Sequence, residues 1–279
     1  MSANKPKNQR PLLKWAGNKY PIIDIVLASL PKGKRLVEPF VGSAAVFFNA
    51  RYERYLLSDS NGDLINLYRL LKQHGDRFID YARSLFEPDN NRAEVYYLLR
   101  DEFNRQHDDP DDPMRRAALF LYLNRHGYNG LCRYNASGGY NVPFGRRSSV
   151  YFPEAEMRFF ISIAAQAIFQ QQDFAHCMRH SKPGDVIYCD PPYLPLSATA
   201  NFTAYHRDSF GLHQQAQLAQ LAKDCAARGI PVLISNHDTP LARELYADAQ
   251  LQTLQVQRNI SCKGDGRGKA SELLALFKD

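Results

Sequence analysis

Short apolar runs alternate with amphipathic stretches in the first quarter of the chain, and this alternation predicts strands and helices in turn. Residues 35–37 and 55–58 are apolar runs that end at polar residues, which predicts two buried strands. The turn around Gly42 is followed by apolar residues 46–48, where we expect a helix to begin. The apolar positions of residues 62–71 recur at helical spacing and predict another helix.

The same alternation returns after residue 153, whereas the middle of the chain is mainly helical. Residues 76–126 predict helices interrupted by an acidic loop at 108–113, and residues 134–142 alternate around a Ser-Gly-Gly turn, which indicates a β-hairpin. The later elements are predicted, in chain order, as a helix over 154–170, a strand over 185–189, a helix over 212–228, a strand over 230–235, and closing strands over 251–260 and 273–277 around a Gly- and Lys-rich loop at 263–269.

Together these patterns predict an α/β sheet domain that is interrupted by an inserted, mainly helical module carrying the hairpin. The predicted boundaries give one domain over 1–62 and 153–279 and a second over 63–152. A length of 279 residues allows one large domain or two small ones, and a hydrophobic fraction of 44% is enough for a packed core.

Composition excludes several classes of protein. No stretch approaches about 20 consecutive apolar residues, so we expect no membrane span. The polar, basic residues 1–10 do not resemble a secretion signal. The five cysteines are an odd number and widely spaced, which indicates neither a disulfide framework nor a zinc pattern. We therefore expect a cytoplasmic protein without a bound metal.

The net charge of +6 is concentrated in one segment. Residues 113–153 contain no Asp, Glu or Lys but six arginines, together with eight aromatic residues. Arginine forms bidentate hydrogen bonds with phosphates and guanine edges, and aromatic rings stack on bases. The segment therefore fits a nucleic-acid-binding surface, but it fits equally well a solvated basic face above a core of aromatic side chains.

Asp190-Pro191-Pro192-Tyr193 directly follows a predicted buried strand, and ligands in open α/β sheets bind beyond the carboxyl ends of strands. Two consecutive prolines stiffen the turn and lack N–H groups, so that their carbonyls are acceptors with fixed directions. With the Asp190 carboxylate and the Tyr193 ring, they suit a planar group that carries an NH₂. The alternative is a rigid turn with a solvated aspartate.

Three further features lie where a cofactor could bind. The turn from Glu38 to Gly42 follows a strand and can approach a small ligand closely. Asp59 ends the next strand, where an acid typically accepts hydrogen bonds from ribose hydroxyls, although it could also cap the following helix. Trp15, the only tryptophan, lies between two lysines and could form an aromatic wall over a cofactor or anchor the core.

Five motifs occur in an order that resembles the Dam family of DNA adenine-N6 methyltransferases, from about residue 13 to residue 277. The motif order matches the α group of that family, with the cofactor motif first, the recognition module next and the catalytic motif last. The motifs are Lys14-Trp15-Ala16-Gly17-Asn18-Lys19, Glu38-Pro39-Phe40-Val41-Gly42, the stretch 124–135, Asn141-Val142-Pro143-Phe144-Gly145-Arg146, and Asp190-Pro191-Pro192-Tyr193.

The resemblance implies a Rossmann-like methyltransferase sheet (residues 1–62 and 153–279) with an inserted target-recognition domain (63–152). It also implies S-adenosylmethionine as methyl donor, no metal, and a flipped-out adenine of GATC in double-stranded DNA as target. We expect a monomer without an obligate protein partner, encoded by a bacterium or phage. The implied catalytic residues are Asp190, Pro191, Pro192 and Tyr193. The implied cofactor-binding residues are Trp15, Gly17, Lys19, Phe40, Gly42, Asp59 and Asp190.

The implied DNA-binding residues are Lys14, Arg125, Tyr128, Asn129, Leu131, Arg133, Pro143, Arg146 and Arg147. The resemblance makes Arg133 the candidate for a bidentate guanine contact. Two alternatives stay open on the residues alone. The same chemistry could act on adenine in RNA or on another planar amine, or the chain could be a DNA-binding protein without catalytic activity.

This sequence departs from the family pattern at three positions. Asn18 and Ala44 stand where the family usually has glycine, and Ala44 will be strained if its position needs a positive φ. Arg147 stands where the pattern has an aromatic residue, and it could grip a phosphate instead. Neither of the first two changes touches a proposed polar contact, so we expect cofactor binding to survive.

Overall fold

The computed structural model describes residues 8–105, 112–193, 210–257 and 269–279. The strands are β1 (Arg35–Glu38), β2 (Arg54–Asp59), β3 (Ala167–Gln171), β4 (Asp185–Cys189), β5 (Val232–His237), β6 (Gln250–Gln257) and β7 (Lys269–Phe277). The α-helices are α1 (Ile23–Ser29), α2 (Gly62–His74), α3 (Asp76–Arg83), α4 (Ala93–Arg105), α5 (Pro113–His126), α6 (Glu154–Ala164), α7 (Phe174–Arg179), α8 (Leu212–Ala226) and α9 (Pro240–Leu245). Short 3₁₀ turns lie at Tyr20–Ile22, Ser84–Phe86, Pro88–Asn90 and Tyr128–Gly130.

The strands form one seven-stranded sheet in the order β3-β2-β1-β4-β5-β7-β6. β1 pairs in parallel with β2 and β4, and β4 pairs in parallel with β5. β7 runs antiparallel to both β5 and β6. The strand order reverses between β1 and β4, and ligands of doubly wound folds bind outside the carboxyl ends of strands at such a point. The predicted α/β class and its closing antiparallel pair are confirmed.

The chain divides into two compact units. Unit 1 comprises Met1–Tyr20, Gly42–Ala50 and Asn61–Gln171, and unit 2 comprises Pro21–Val41, Arg51–Ser60 and Gln172–Asp279. The functional division into a catalytic domain and a recognition domain, with boundaries near residues 63 and 153, stays a prediction.

The core of unit 2 is built from the central strands and the helices that cover them. Every residue of β4 is buried, as the continuous apolar run predicts, and Val37, Val232 and Leu273 from the neighbouring strands are fully buried as well. α7 and α8 contribute apolar side chains to the same cluster. This packing fixes the end of β4, where the proposed catalytic residues begin.

α5 runs through the core of unit 1 and is buried on all sides from residue 116 to residue 126. Asp112 caps its start by accepting hydrogen bonds from the N–H groups of Met114 and Arg115, and Pro113 occupies the first turn. A helix without an exposed face is stabilised by packing on every side. The residues that follow α5 are therefore attached to a rigid element.

Two local predictions were wrong, and a third, the hairpin, is present but shorter than predicted. The helix predicted over 154–170 ends at Ala164, and the chain enters β3 at Ala167, where buried and exposed positions alternate as in a half-buried strand. Residues 42–49 form successive turns rather than a regular helix, although the Phe48 N–H does reach the Ala44 carbonyl. The predicted hairpin is a tight loop closed by an isolated Tyr134–Tyr140 bridge.

Parts of two predicted loops, at 108–111 and 263–268, lie outside the described residues. Within the described ranges, no helix is long and apolar enough to span a membrane. The same ranges contain no group of three or more His, Cys, Asp or Glu side chains that could hold a metal ion.

We expect His126, the last residue of α5, to make the free energy of unfolding depend on pH. Its ring is buried, stacks 3.9 Å from the Tyr122 ring and lies 5.0 Å from the Phe86 ring. Burial, with the charges of Lys14 and Arg125 in addition, lowers the pKa of His126 to about 4. Because the unfolded chain takes up this proton near pH 6.5 and the folded chain does not, stability is full above that pH and is lost as the pH falls toward 4.

We therefore expect His126→Phe to flatten the acid side of the stability profile. Between about pH 7.5 and pH 5, the wild type should lose about 2 kcal/mol more unfolding free energy than the variant, measured by urea denaturation. His213→Gln is the control, because His213 is exposed on α8 and should leave the profile unchanged. Parallel profiles for the wild type and His126→Phe would show that burial of His126 has no such effect.

Candidate active site and nucleic-acid interface

Asp190-Pro191-Pro192-Tyr193 leaves the carboxyl end of β4 in unit 2, and side chains of three neighbouring elements hold it. Ser235 of β5 donates to Asp190 Oδ1 over 2.9 Å. Gln215 of α8 donates to the Pro192 carbonyl over 2.8 Å. The Tyr193 hydroxyl donates to Glu272 Oε2 of β7 over 3.0 Å. The four residues are therefore held at defined positions by the core of unit 2.

Tyr193 is oriented by its ring as well as by its hydroxyl. The ring meets His237 edge to face, with ring centroids 4.7 Å apart and planes at 76°. Burial, with the carboxylates of Asp190 and Glu272 in addition, raises the pKa of Tyr193 well above 10. The phenol therefore stays a hydrogen-bond donor at physiological pH, and its contact with Glu272 persists. A flat ring is thus held beside a carboxylate and two proline carbonyls.

Phe40 and Asp59, both in unit 2, follow β1 and end β2, respectively. Phe40 stacks on Phe174 at 5.3 Å and meets Phe210 edge to face at 5.4 Å. The side chain of Asp59 is half-buried. Asn61 caps α2 by accepting a hydrogen bond from the Leu64 N–H, so the alternative interpretation of Asp59 as that cap is wrong. Asp59 keeps its interpretation as a ligand-binding acid.

In unit 1, Trp15 packs against the turn at Gly42. Gly42 has a φ of 45°, and a Cβ added there would lie 2.9 Å from the indole Nε1 of Trp15, so only glycine fits. Gly17 also has a positive φ, and its carbonyl accepts a hydrogen bond from the buried Lys19 ammonium. The Tyr68 hydroxyl donates to the Gly42 carbonyl over 2.7 Å and fixes the turn from the other side.

The two departures near these glycines have different structural consequences. Asn18 adopts a negative φ, and its side-chain oxygen accepts a hydrogen bond from the Tyr20 N–H over 2.7 Å, so this substitution supplies a cap without strain. Ala44 is fully buried and has a φ of 61°. A left-handed conformation costs a non-glycine residue on the order of 1 kcal/mol. The strain that the sequence suggested for Ala44 is therefore present.

The proposed DNA-binding residues after α5 lie on two adjoining segments of unit 1. The Tyr128 N–H donates to the Pro143 carbonyl and the Gly145 N–H to the His126 carbonyl, each over 2.8 Å, which joins the two segments. Tyr128 is 51% exposed, and Asn129 and Arg146 have positive φ values of 53° and 49°. The structure brings these predicted residues together, with exposed or half-exposed side chains: Tyr128, Asn129, Leu131, Arg133, Pro143, Arg146 and Arg147.

Lys14 joins the same loops although it lies 110 positions earlier in the chain. Its backbone N–H and carbonyl both bond to the side chain of Asn124, and its ammonium donates to the Arg125 carbonyl over 3.1 Å. A Cβ at Gly130 would lie 2.1 Å from Lys14 Cβ, so glycine allows this close approach. Burial, and then the charges of Arg125 and Arg147, lower the pKa of Lys14 to about 8.

The six arginines of the basic segment divide into two groups. Arg115 pairs with Glu102, Arg116 pairs with Asp63 over 2.6 Å, and Arg125 is only 8% exposed and donates to the carbonyls of Tyr151 and Leu12. The side chains of the other three lie exposed: Arg133, Arg146 and Arg147. Each of the two sequence interpretations therefore describes part of the segment. A DNA contact for Arg125 stays a prediction, and its observed contacts are with unit 1 itself.

Several residues that hold these segments were not identified from the sequence. Asn141 accepts a hydrogen bond from Arg133 Nε over 2.7 Å, and Asn124 bridges Lys14 to the loop after α5. Gln215, Ser235 and Glu272 support the residues after β4. Asn124 and Asn141 lie inside the recognised motifs, so inspection of the side-chain amides in those motifs could have identified them. The other three lie on elements without a motif.

The fold and these segments define a doubly wound α/β protein whose parallel strands end in an acceptor-rich turn suited to a planar amine. The family model of the D12 class N6 adenine-specific DNA methyltransferases matches residues 15–260, and the chain belongs to this family. The resemblance inferred from the motifs is confirmed.

Individual relatives match over nearly the full length. The chain is 55% identical over 272 residues to the DNA adenine methylase of Escherichia coli (strain K12), covering 98% of this chain and 96% of that protein. It is 50% identical over 273 residues to the DNA adenine methylase of Serratia marcescens, covering 98% and 100%. The DNA adenine methylase of Vibrio cholerae (strain ATCC 39541 / Classical Ogawa 395 / O395) is 51% identical over 272 residues, covering 97% of each chain.

Strain at Ala44 can be measured against its neighbour Ala45, which is also buried but has an ordinary negative φ. Glycine at either position removes one buried methyl and adds freedom to the unfolded chain, but only Ala44→Gly relieves the positive φ. We expect Ala44→Gly to be more stable than Ala45→Gly by about 1 kcal/mol in urea unfolding. Equal stability of the two variants would mean that Ala44 is not strained.

Proposed function

We propose that this protein transfers a methyl group from S-adenosylmethionine to N6 of an adenine that is turned out of duplex DNA, within GATC. The observation that carries the proposal is the turn after β4, where hydrogen bonds hold the Asp190 carboxylate, the Pro192 carbonyl and the Tyr193 hydroxyl on either side of Pro191. The membership of the chain in an adenine-specific DNA methyltransferase family supports the substrate and the reacting nitrogen.

Adenine N6 is a poor nucleophile because its lone pair is delocalised into the ring. Two acceptors that take both N6 hydrogens return electron density to the nitrogen. One lone pair of the Pro192 carbonyl is already used by Gln215, so we assign the Pro191 carbonyl and the Asp190 carboxylate to the two hydrogens. Tyr193 stacks on the face of the base and fixes its plane.

Each of the two units offers groups that fit a part of S-adenosylmethionine. Asp59 supplies a carboxylate for ribose hydroxyls, and the turn at Gly42 has no Cβ that would fill the space beside Trp15. We propose that Trp15, Gly17 and Lys19 contact the methionine end or the adenosine, and that Phe40 and Gly42 line the turn. When bound, the cofactor would supply an electrophilic methyl on a sulfonium sulfur. The methyl–sulfur bond would break as the bond to N6 forms, so that the neutral thioether leaves, and N6 would give up one proton to the Asp190 carboxylate. Positioning of N6 by Asp190 and Pro191 then supplies much of the acceleration.

The loops after α5 are proposed to bind the duplex. Arg133 reads a guanine edge, Leu131 and Pro143 contact a thymine methyl, and Asn129 contacts a phosphate or a base edge. Turning adenine out of the stack costs a few kcal/mol, and we assign the exposed Tyr128 ring to fill the gap. Further proposed contacts with the site or its phosphates come from Lys14, Arg125, Arg146 and Arg147.

The proposed activity predicts that Asp190→Ala abolishes methyl transfer but keeps DNA binding, because the carboxylate acts on N6 and not on the duplex. Transfer of labelled methyl is measured on a duplex with one GATC, on the same duplex without adenine in that site, and on RNA of the same sequence. Asp248→Ala is the control, since this exposed aspartate pairs with Lys223 in the same unit. Full activity of Asp190→Ala would contradict the mechanism, and preferential transfer to RNA would contradict the substrate.

Arg133→Ala tests how the site is read. A bidentate guanine contact is worth roughly 1–3 kcal/mol of discrimination, so the variant should relax selectivity at one base pair and retain it at the others. The measurement compares kcat/KM for GATC with that for each single-base variant of the site. Arg158→Ala is the control, because this exposed arginine pairs with Asp76 and Glu154 of unit 1. A uniform loss over all duplexes would make Arg133 a phosphate contact.

A further inference from the structure

Ser235 is a buried residue that touches the carboxylate of Asp190. It lies near the end of β5. The β4–β5 register pairs Cys189 with Ile234, and the residues that follow these two are Asp190 and Ser235. Ser235 is fully buried, with its Oγ 2.9 Å from Asp190 Oδ1, 3.1 Å from the Tyr188 hydroxyl and 3.4 Å from the Cys189 carbonyl.

The direction of these hydrogen bonds follows from the number of protons available. A serine hydroxyl has one proton, and an ionised carboxylate can only accept, so Ser235 donates to Asp190. The Oγ of Ser235 also lies closer to the charged acceptor, at 2.9 Å from Asp190 Oδ1, than to the Cys189 carbonyl oxygen, at 3.4 Å. Burial raises the pKa of Tyr188 well above 10, so its phenol keeps its proton and donates to Ser235. The chain of donors therefore runs from Tyr188 through Ser235 to Asp190.

We propose that Ser235, supported by Tyr188, is a positioning residue for methyl transfer. Its hydroxyl fixes the rotation of the Asp190 carboxylate, so that the carboxylate meets an N6 hydrogen in the direction that the Pro191 carbonyl also requires. This inference rests on the proposed function. Without the Ser235 hydroxyl, the carboxylate of Asp190 loses a hydrogen bond that holds its orientation, and it less often places an oxygen against N6.

The substitution Ser235→Ala removes the hydroxyl and keeps the backbone and the Cβ in place. A misplaced acceptor costs on the order of 10- to 100-fold in the rate of transfer. We expect that loss in the single-turnover rate on a GATC duplex at saturating S-adenosylmethionine, with an unchanged dissociation constant for DNA by fluorescence anisotropy. Tyr188→Phe removes only the second donor, so its rate should fall less, by roughly two- to tenfold.

Conservative variants and a matched control separate positioning from general damage. Ser235→Thr keeps a hydroxyl on a strand and should recover most of the rate, and Ser235→Cys, a weaker donor in nearly the same volume, should recover part of it. Ser181→Ala is the control, because Ser181 is also a buried serine of unit 2 but bonds to the Cys177 carbonyl. It should keep the wild-type rate.

Three outcomes would overturn the inference. A Ser235→Ala rate within twofold of the wild type would show that the hydroxyl does not position Asp190. Parallel losses of rate, ligand affinity and thermal stability, without recovery in Ser235→Thr or Ser235→Cys, would show a structural role only. Absence of transfer by the wild-type protein on any duplex would overturn the proposed function and, with it, this inference, whereas the first two outcomes leave the proposed function intact.

Discussion

Two consecutive prolines leave the turn after β4 without N–H groups at positions 191 and 192, so the backbone ladder that ends at Cys189 cannot continue into it. The turn must therefore be held by side chains from elsewhere. Ser235, Gln215 and Glu272 do this from β5, α8 and β7. Because these elements build the core of unit 2, the geometry of the proposed catalytic residues depends on how that core packs.

Gln215 shows how tightly this dependence is specified. Its Oε1 accepts hydrogen bonds from Asn236 Nδ2 over 3.1 Å and from the Tyr246 hydroxyl over 3.2 Å. Since both of those contacts need an oxygen, the amide of Gln215 has one orientation, and its Nε2 must face the Pro192 carbonyl. Gln215, Asn236 and Tyr246 are all buried, so a lost partner would leave an unsatisfied polar group in the core. The network thus fixes the second proline of the turn through side chains that are themselves held in the core.

The sequence predicts those parts of the structure that depend on local patterns. β4 spans the predicted residues 185–189, because the apolar residues 186–189 fill positions that are buried on both faces and the prolines after Asp190 end the backbone ladder. The strain at Ala44 also follows from one residue and its neighbours. The limits of α6 do not, because Gln166 and Ile168 fit a helix as well as the strand that follows.

The supporting contacts depend on pairs that are far apart in the chain, and no local pattern predicts them. Asn124 meets Lys14 across 110 positions, and Ser235 meets Asp190 across 45. The motifs assign a role to one member of each pair, Lys14 or Asp190, and none to the other. The other member is an ordinary serine or asparagine on a regular element, and only the register of the strands or the packing of α5 brings it into contact.

The arginine-rich segment illustrates the same limit and also why it matters for recognition. Composition does not separate Arg116, which is paired with Asp63, from the exposed Arg133. In the structure the two residues are linked through Asp63, because Asp63 also accepts a hydrogen bond from Tyr134, the residue next to Arg133. Arg116 neutralises the charge of Asp63. Asp63 in turn holds Tyr134, and with it the backbone of the neighbouring residue Arg133. Part of the positive charge of the segment therefore holds the loops after α5 in place, and the exposed arginines carry the charge proposed to meet DNA.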